Sequence, residues 1–288
     1  MNMNNKSFTL IELLVVIVII GILAGVIMIS TSSSIDKASI ARGRVFSSSV
    51  QSDLLSNLIS EYTFDEEEGI YPTQIKDNWG NNNGTAYGNP QLLNSNCING
   101  KCLKFDGDGD YIDLGNNNDL NVTKNMTISL WINLLNFGHN PYLISKRSDI
   151  TQGYNIFMSG EKGINIIDGA GTTIYSDLSI ENEKWKNIVF SIDSSGAKYR
   201  AYVDGVIGNE KNITTFSGND INVYIGQRVN GAVSHYPKGT FDEVRIYNAA
   251  LSSAQIKQNY IAGLDSLLSN GNISKEDYNN RINELAYE

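Results

Sequence analysis

One carboxylate stands inside an almost wholly apolar run near the start of this sequence. Residues 6–28 read KSFTLIELLVVIVIIGILAGVIM, and Glu12 is the acidic residue among them. An ionised side chain in a lipid bilayer costs several kcal/mol, so it is usually kept where a specific partner neutralises it. The chemistry that Glu12 offers is therefore an ion pair formed within the membrane. A polar residue that snorkels to the interface is the alternative.

A second pair of reactive residues, Cys97 and Cys102, lies in the stretch CINGKC. Asn99-Gly100 suits a two-residue hairpin turn, which makes the cysteines face each other one pair beyond the residues that close the turn. At a non-hydrogen-bonded pair the Cα atoms approach to about 4.5 Å, which a disulfide accepts. A zinc site is the competing interpretation, but it lacks two further ligands nearby. Outside the cytoplasm we expect a disulfide, of modest stabilising effect because its loop is short.

Catalytic constellations are poorly represented in the rest of the chain. A retaining glycosidase needs two carboxylates about 5 Å apart, typically on alternate residues of one strand. In FDEVRIYN (241–248) Asp242 and Glu243 are adjacent, so a regular strand places them on opposite faces. A Ser-His-Asp triad has little support either, because the chain has no GxSxG and its two histidines, His139 and His235, are scattered. We therefore expect a protein that is not an enzyme.

The composition indicates a folded, acidic protein. Its 288 residues are 41% hydrophobic, enough for a packed core, and carry a formal net charge of -9. Nucleic acid and anionic membrane surfaces are bound by clustered Lys and Arg, so the acidity argues against both as partners. Divalent cations remain compatible with it.

The apolar run predicts a membrane-spanning helix. Residues 10–29 are apolar apart from Glu12 and two glycines, and about 20 helical residues match a ~30 Å hydrocarbon layer. A secretory signal peptide is the alternative, but it needs a basic region, a shorter apolar stretch and a small-residue cleavage motif. Lys6 on the short leading side places the leader in the cytoplasm and the chain after Ser30 outside, although two later arginines oppose that orientation.

The helix is predicted to continue beyond the membrane. Apolar residues recur at spacings of three, four and five between residues 35 and 59, which is typical of an amphipathic helix. The Ser/Thr run at 30–34 lowers helix propensity and could bend the rod. A rod of this kind packs against copies of itself.

The segment KSFTLIELLVVIVIIGILAGV resembles the N-terminus of a type IV prepilin. The resemblance implies a leader of residues 1–7, cleavage by a prepilin peptidase between Ser7 and Phe8, methylation of the new Phe8 amine, and a mature helix over 8–59. The family usually has Gly before the cut, whereas this chain has Ser7, which is small enough for a tight protease subsite. By the same resemblance Glu12 pairs with the Phe8 amine of a neighbouring subunit, so that each charge offsets the burial of the other.

From residue 60 onward the sequence has the texture of strands and turns. Short runs rich in Val, Ile, Tyr and Phe are separated by Gly, Asn and Asp. Many such strands without long helices indicate an antiparallel β-sandwich, and Asp204-Gly205 suits a tight hairpin. The predicted strands cover 60–65, 101–106, 111–115, 126–134, 141–147, 154–159, 164–169, 185–193, 199–205, 222–227 and 241–248.

The order of these strands resembles the laminin-G-like or concanavalin-like jelly rolls of bacterial surface proteins. The resemblance depends on nine segments in order: EYTFDEEEG, DNWGNNNGTAYGNP, LKFDGDGDYIDLG, MTISLWIN, YLISKR, WKNIVFSID, YRAYVDGV, VYIGQR and FDEVRIYNAALSSAQI. It implies a mainly β fold over residues 60–262, with two curved antiparallel sheets, a shallow concave face and loops at one rim.

The same resemblance implies one structural calcium ion. Its ligands in this chain would be Asp65, Glu66, Asp77, Asn82 and Asp242. Hard oxygen atoms of this kind suit Ca2+. Solvated surface acids are the alternative interpretation of the same residues.

The C-terminal residues 263–288 predict a helical tail. Ser274 followed by Asp277 is a helix start signal, and apolar residues recur at helical spacing after it. We expect this tail to pack on the sandwich or on the rod. Binding of a partner is the functional alternative.

The two resemblances imply a type IV pilin-like subunit, anchored in the membrane with an extracytoplasmic domain and later part of a pilus at the cell surface. Its partners would be other pilin subunits and the prepilin peptidase. A lectin-like head of this size would crowd a helical array, so we expect a minor or tip subunit that adheres to glycans or to a host surface. A major structural pilin and a pseudopilin of a secretion or DNA-uptake system are the alternatives. Aromatic residues that could stack on sugars are Trp79, Tyr142, Tyr175 and Tyr236.

Overall fold

The computed structural model describes residues 54–65, 74–136, 140–147, 153–159, 163–168, 170–213, 219–228 and 235–286. All of them belong to one compact unit, Asp53–Glu288. Ser7, Phe8 and Glu12 lie outside the described residues, and so do the predicted membrane span and Glu66. Among the helices that the structure describes, none has the length and apolar character needed to cross a membrane.

The described chain forms an antiparallel β-sandwich, as predicted. Each predicted strand is found, with its ends shifted by a few residues. The strands are β1 (Leu58–Tyr62), β2 (Gln74–Ile75), β3 (Gly84–Tyr87), β4 (Gln91–Leu93), β5 (Cys102–Asp106), β6 (Tyr111–Asp113), β7 (Met126–Asn136), β8 (Tyr142–Ser145), β9 (Asn155–Ser159), β10 (Gly163–Ile167), β11 (Thr173–Ser179), β12 (Lys186–Asp193), β13 (Lys198–Val203), β14 (Val206–Ile207), β15 (Lys211–Asn212), β16 (Tyr224–Ile225) and β17 (Lys238–Tyr247).

The strands divide into two sheets. Within the described residues, sheet A has nine strands in the order β14-β13-β12-β7-β17-β5-β4, with β1 also paired to β17 and β15 to β13. Sheet B has eight, in the order β11-β10-β9-β8-β16-β6-β3-β2. The predicted hairpin joins β13 to β14, and Asp204 and Gly205 both have positive φ, 53° and 77°. Two positive φ values match the right-handed twist of the flanking strands.

Alternating side chains fill the core between the sheets. In β7, Ile128, Leu130 and Ile132 are fully buried in this core. Trp131 belongs instead to a second apolar cluster on the outer side of sheet A. The apolar residues that alternate in the sequence are therefore the ones that face the core.

A β-bulge interrupts the alternation in β17. Phe241 and Val244 both belong to the core between the sheets, so Asp242 and Glu243 lie between two inward-facing residues, on the outer side of sheet A. Glu243 has φ 49°, and the register of β17 against β7 shifts at this point. The prediction that the two acids occupy opposite faces is wrong, because the bulge inserts an extra residue.

The last two residues of the predicted helix 8–59 belong to a strand. Residues 54–56 are helical, but β1 begins at Leu58 and pairs with the end of β17, where Tyr62 lies opposite Val244. Leu58, Ser60 and Tyr62 are the buried residues of β1. This strand pairing overrides the helical spacing of the last residues in the pattern.

Helix α1 (Ser253–Ser269) begins with a capping box. The Gln255 N–H donates to the Ser252 hydroxyl, and the Gln255 side chain accepts from the Ser252 N–H. The predicted boundary between sandwich and tail, at 262/263, therefore falls inside one continuous helix.

Helix α2 (Lys275–Ala286) starts where the sequence predicts, since the Asp277 N–H donates to the Ser274 hydroxyl at 3.1 Å. Both helices pack on the outer side of sheet A, which confirms that the tail packs on the sandwich. The Trp131 and Tyr260 rings are stacked there, with centroids 5.6 Å apart. The buried members of this cluster are Cys97, Ile98, Cys102, Trp131, Trp185, Tyr260, Leu264 and Leu267.

Candidate functional site

The outer side of sheet B carries a row of tyrosines from adjacent strands. Tyr87 of β3 lies opposite Tyr111 of β6, and Tyr224 of β16 lies opposite Asp113 of β6. Because side chains alternate along a strand, these residues share one face. The residues beside them point into the core and are buried, namely Ala86, Ile112 and Ile225.

Ring contacts join these side chains into one cluster. The ring centroids of Tyr87 and Tyr111 are 4.8 Å apart with nearly parallel planes. Tyr111 also contacts Tyr224 at 6.1 Å and Tyr236 at 6.4 Å. Tyr87 is 44% exposed and the other three are half-buried. We call these four residues the tyrosine face.

A second, buried aromatic group continues the row. Tyr142 lies 5.3 Å from Phe157 and 5.4 Å from His235, between ring centroids, and the Arg228 guanidinium lies 5.9 Å from the Tyr142 centroid. Tyr142 is 6% exposed, so its role as a ring that stacks on a sugar is not supported. Its neighbours occupy the space that a ligand would need.

Polar groups lie beside the tyrosine face with fixed orientation. Both carboxylate oxygens of Asp113 accept from the Asn222 side-chain amide at 3.0 Å, and the Gly115 N–H donates to one of them at 2.8 Å. Burial raises the pKa of the Tyr111 hydroxyl, and burial followed by the charge of Asp113 raises that of Tyr224. The hydroxyls therefore stay protonated at neutral pH, when each can both donate and accept.

The tyrosine face combines what a sugar-binding surface requires. Aromatic rings provide apolar area for stacking, and hydroxyl, carboxylate and amide groups provide hydrogen bonds. Of the aromatics selected from the sequence, Tyr236 belongs to the face. Tyr175, 60% exposed, lies on the opposite edge strand of sheet B, and Trp79, 47% exposed, lies at a separate cleft.

Sequence reasoning missed Tyr87, Tyr111 and Tyr224. Each stands directly beside a core residue in its strand, in TAY, DYID and VYIG. That local signal identifies an outward-facing tyrosine. It does not show that the three strands are neighbours.

The Asp77 side chain binds backbone N–H groups of the loop that follows β2. One carboxylate oxygen of Asp77 accepts N–H bonds from Glu61 at 3.0 Å, Trp79 at 3.1 Å and Gly80 at 2.9 Å. The other accepts from the Asn82 N–H at 2.9 Å. An oxygen that already accepts three donors has no lone pair left for a cation. The second Asp77 oxygen accepts a single N–H and keeps a lone pair.

The remaining members of the predicted calcium set form a different group. Asp65 and Asp242 each accept a backbone N–H of the turn at 98–101, at 2.8 Å, whereas Asp77 and Asn82 lie together in the loop after β2. In the described part of the chain, no three His, Cys, Asp or Glu side chains are grouped so that they could hold a metal ion. The calcium site, which includes Glu66, stays a prediction.

The predicted disulfide between Cys97 and Cys102 is present, with Cα atoms 5.4 Å apart. The prediction that the two cysteines face each other across a two-residue hairpin is wrong. Cys97 lies in the loop between β4 and β5, and the residue that pairs with Cys102 across the sheet is Leu93. The two aspartates that bind the turn hold it as a loop and not as a regular two-residue hairpin.

The adjacent acids of β17 are occupied by structural contacts. Glu243 forms an ion pair with Arg245, whose Nε also donates to Glu61 at 2.7 Å. Burial, and next the neighbouring Glu243, raises the pKa of Asp242 well above its usual range. A cavity of about 110 Å³, lined by Glu243, Arg245 and residues of α1 such as Asn259, separates strand from helix. The carboxylates therefore lie beneath α1 and not on an open surface.

Two protein families match the chain. Residues 106–257 match the Concanavalin A-like lectin/glucanases superfamily. Residues 2–28 match the prokaryotic N-terminal methylation motif. Both matches confirm the resemblances found in the sequence. No curated protein sequence matches.

Solved structures show the same fold at low identity. The binding domain of Paraclostridial Mosquitocidal Protein 1 matches with TM-score 0.59 and 18% identity, over 74% of this chain and 53% of that one. Domain 4 of AbnA, an extracellular arabinanase from Geobacillus stearothermophilus solved in complex with arabinotriose, matches with TM-score 0.55 and 20% identity, over 70% and 97%. The botulinum neurotoxin serotype D ligand binding domain in complex with N-acetylneuraminic acid matches with TM-score 0.60 and 16% identity, over 75% and 53%.

These likenesses concern the fold of the sandwich. The chain spans about half the length of the two toxin domains and nearly all of the arabinanase domain. The superfamily match, by contrast, covers more than half of the 288 residues, and the two antiparallel sheets agree with it. The chain therefore belongs to the Concanavalin A-like lectin/glucanases superfamily and carries a prokaryotic N-terminal methylation motif ahead of that domain.

Proposed function

We propose that this protein is a pilin-like subunit whose head, residues 53–288, binds glycans through the tyrosine face. One observation carries the glycan-binding part of this proposal. Tyr111 and the three tyrosines that contact its ring stay at the surface of sheet B, while the aromatic outer side of sheet A is covered by two helices. Clustered apolar surface left in contact with water is typical of binding sites.

The shape and chemistry of the tyrosine face favour a glycan over a protein partner. Tyr111 lies at the centre, in contact with the three other rings. Hydroxyls and the Asp113 carboxylate lie among the rings, which matches a ligand that alternates apolar C–H faces with hydroxyl groups. The arabinanase domain bound to arabinotriose and the neurotoxin domain bound to N-acetylneuraminic acid support the use of this fold for sugars.

The N-terminal methylation motif supports the pilin-like part of the proposal. A prepilin peptidase would cut between Ser7 and Phe8 and methylate Phe8. Glu12 would pair with the Phe8 amine of an adjoining subunit as the helix leaves the membrane for the fibre. The partners are then other pilin subunits. The head is large, so a minor or tip subunit fits better than a major one.

Glycan-array binding by the purified head tests the tyrosine face. The head has its own core and a second apolar cluster beneath the helices, so it can be produced alone. We expect Tyr111→Ala and Tyr87→Ala to weaken binding at least about tenfold, equivalent to ~1.4 kcal/mol. Tyr175→Ala is the control, because Tyr175 is an outward-facing tyrosine, more exposed than Tyr87, at the other edge of sheet B. Unchanged binding by both face variants would overturn the glycan proposal.

Mass spectrometry of the protein from its own cells tests the pilin-like part. We expect methylated Phe8 as the first residue. Glu12→Ala should be processed and anchored but absent from fibres, whereas Glu12→Asp should retain partial assembly because the charge remains. Leader residues 1–7 still attached in cells that process other prepilins would contradict the proposal.

A further inference from the structure

We propose that a cleft beside Trp79 is a second binding site, for a neutral saccharide. The cleft shares no lining residue with the tyrosine face. The inference extends the proposed glycan recognition, on which it rests, to another surface of the head.

The cleft has the size of a ligand site. Its volume is about 610 Å³, within the usual range for small-molecule pockets. Four segments line it: the start of β1, the turn at 79–80 after β2, the loop at 118–125 before β7, and Asn248 after β17.

Trp79 forms one wall and is held in place by buried groups. It is 47% exposed, whereas Trp131 and Trp185 are 1% and 7% exposed. The backbone N–H of Trp79 donates to the Asp77 carboxylate, and Asp77 is itself 4% exposed. A Cβ added at Gly80 would lie 2.3 Å from a backbone oxygen of β1. The turn that presents the indole is therefore packed against β1 and cannot shift freely.

The opposite wall is also anchored. Leu120, 1% exposed, fixes a short 3-10 helix (Asn118–Leu120) to the core. The Asn121 side-chain oxygen accepts the Asn219 N–H at 2.9 Å, and the Asn125 side-chain oxygen accepts the Ser194 N–H at 3.1 Å. Both walls are thus preorganised, which lowers the entropy cost of binding.

The remaining side chains that line the cleft are polar, and their net charge is zero. Among the described residues, the side chains of Asn118, Thr123 and Asn248 have no hydrogen-bond partner. Asp119 and Lys124 contribute opposite charges. An exposed indole with amide and hydroxyl groups and no net charge suits stacking and hydrogen bonding to a neutral polyhydroxylated ligand.

Tryptophan fluorescence of the head tests this site, because Trp79 is the exposed one of the chain's three tryptophans. The probes are a set of neutral trisaccharides that includes arabinotriose, with N-acetylneuraminic acid as the anionic comparison. We expect a saturable change in emission with a neutral trisaccharide, lost in Trp79→Phe. The double variant Asn118→Ala/Asn248→Ala should retain the indole and bind at least about tenfold more weakly.

The outcome also separates this site from the tyrosine face. Tyr111→Ala should leave the emission change intact. Glycan-array binding that depends on Tyr111 supports the proposed function. If, in the same head, no neutral trisaccharide changes the tryptophan emission, or the change persists in Trp79→Phe, the cleft is not a saccharide site. If the emission change depends on Trp79 and glycan-array binding is unchanged in Tyr111→Ala, the cleft is supported as a saccharide site and the tyrosine face is not the glycan site.

Discussion

Both sheets carry aromatic side chains on their outer sides, but these side chains are buried on sheet A and partly exposed on sheet B. On sheet A, Trp131 is 1% exposed and stacks on Tyr260 of α1. On sheet B, Tyr87 is 44% exposed and stacks on the half-buried Tyr111. Residues 253–286 cover the first side and leave the second open. Similar side chains therefore stabilise the head on one side and remain available for binding on the other.

The covered side is linked to the disulfide loop as well as to the sheet. The side-chain amide of Asn272 donates to the Cys97 carbonyl at 2.6 Å, and that of Asn270 donates to the Ile98 carbonyl at 3.2 Å. The segment between α1 and α2 thus binds the loop that the disulfide closes. Changes on this side should alter stability, whereas changes on the tyrosine face should alter binding.

Trp131→Ala should have the largest effect on stability. Truncating a fully buried aromatic residue typically costs about 3–5 kcal/mol of unfolding free energy, because the cavity beneath α1 cannot fully collapse. Urea denaturation of the head measures this change. Tyr87→Ala is the control and should cost less than about 1 kcal/mol, because Tyr87 is partly exposed. Equal losses for the two variants would remove the distinction between the two sides.

Removing the disulfide should have an intermediate effect. The bond joins residues only five apart in sequence, so the entropy argument gives a loss of about 2 kcal/mol for Cys97→Ser/Cys102→Ser. Urea denaturation of the wild-type head with a reductant should give the same loss, and the reductant should not alter the double variant. If the double variant is as stable as the oxidised wild type, the loop is held by Asp65 and Asp242 alone.

A change of one pH unit should have the smallest effect on stability. Burial, with Glu243 next, raises the pKa of Asp242, and the charged groups around this acid pair are Arg245, Glu61 and Asp65. Between the ordinary and the raised pKa the native state binds more protons than the unfolded state, so the unfolding free energy falls as pH rises through that window. One group contributes a slope of at most about 1.4 kcal/mol per pH unit.

Asp242→Asn tests this source of pH dependence. Urea denaturation between about pH 5 and pH 8 should give a shallower decline with pH than the wild type, because the buried titrating group is gone. Asp193→Asn is the control, since Asp193 is on the surface and its pKa is lowered by Ser195, so its contribution is lost only at more acidic pH. A decline as steep in Asp242→Asn as in the wild type would assign the effect to another acid, with Glu243 the nearest.

The strands were predictable because strand formation leaves a local pattern. The alternate burial of Ile128, Leu130 and Ile132 follows from the pleat of a single strand, and all three are buried in the core in β7. The bulge at Asp242 and Glu243 was not predictable, since it depends on how β17 pairs with three other strands at once. The strands β2, β14 and β15 were missed because two residues carry no period, and β3, β4 and the seven-residue β11 were missed as well.

Four features could be predicted from short stretches of sequence: the N-terminal methylation motif, the β-sandwich class, the Cys97–Cys102 pairing and the start of α2. These features are encoded in contiguous residues, whose spacing and side-chain sterics act locally. The three-dimensional packing is what brings Tyr87, Tyr111 and Tyr224 together and places α1 and α2 over sheet A, while sheet B stays open. Strand order and helix docking depend on contacts between residues far apart in the chain, and these contacts leave no periodic trace in any one segment.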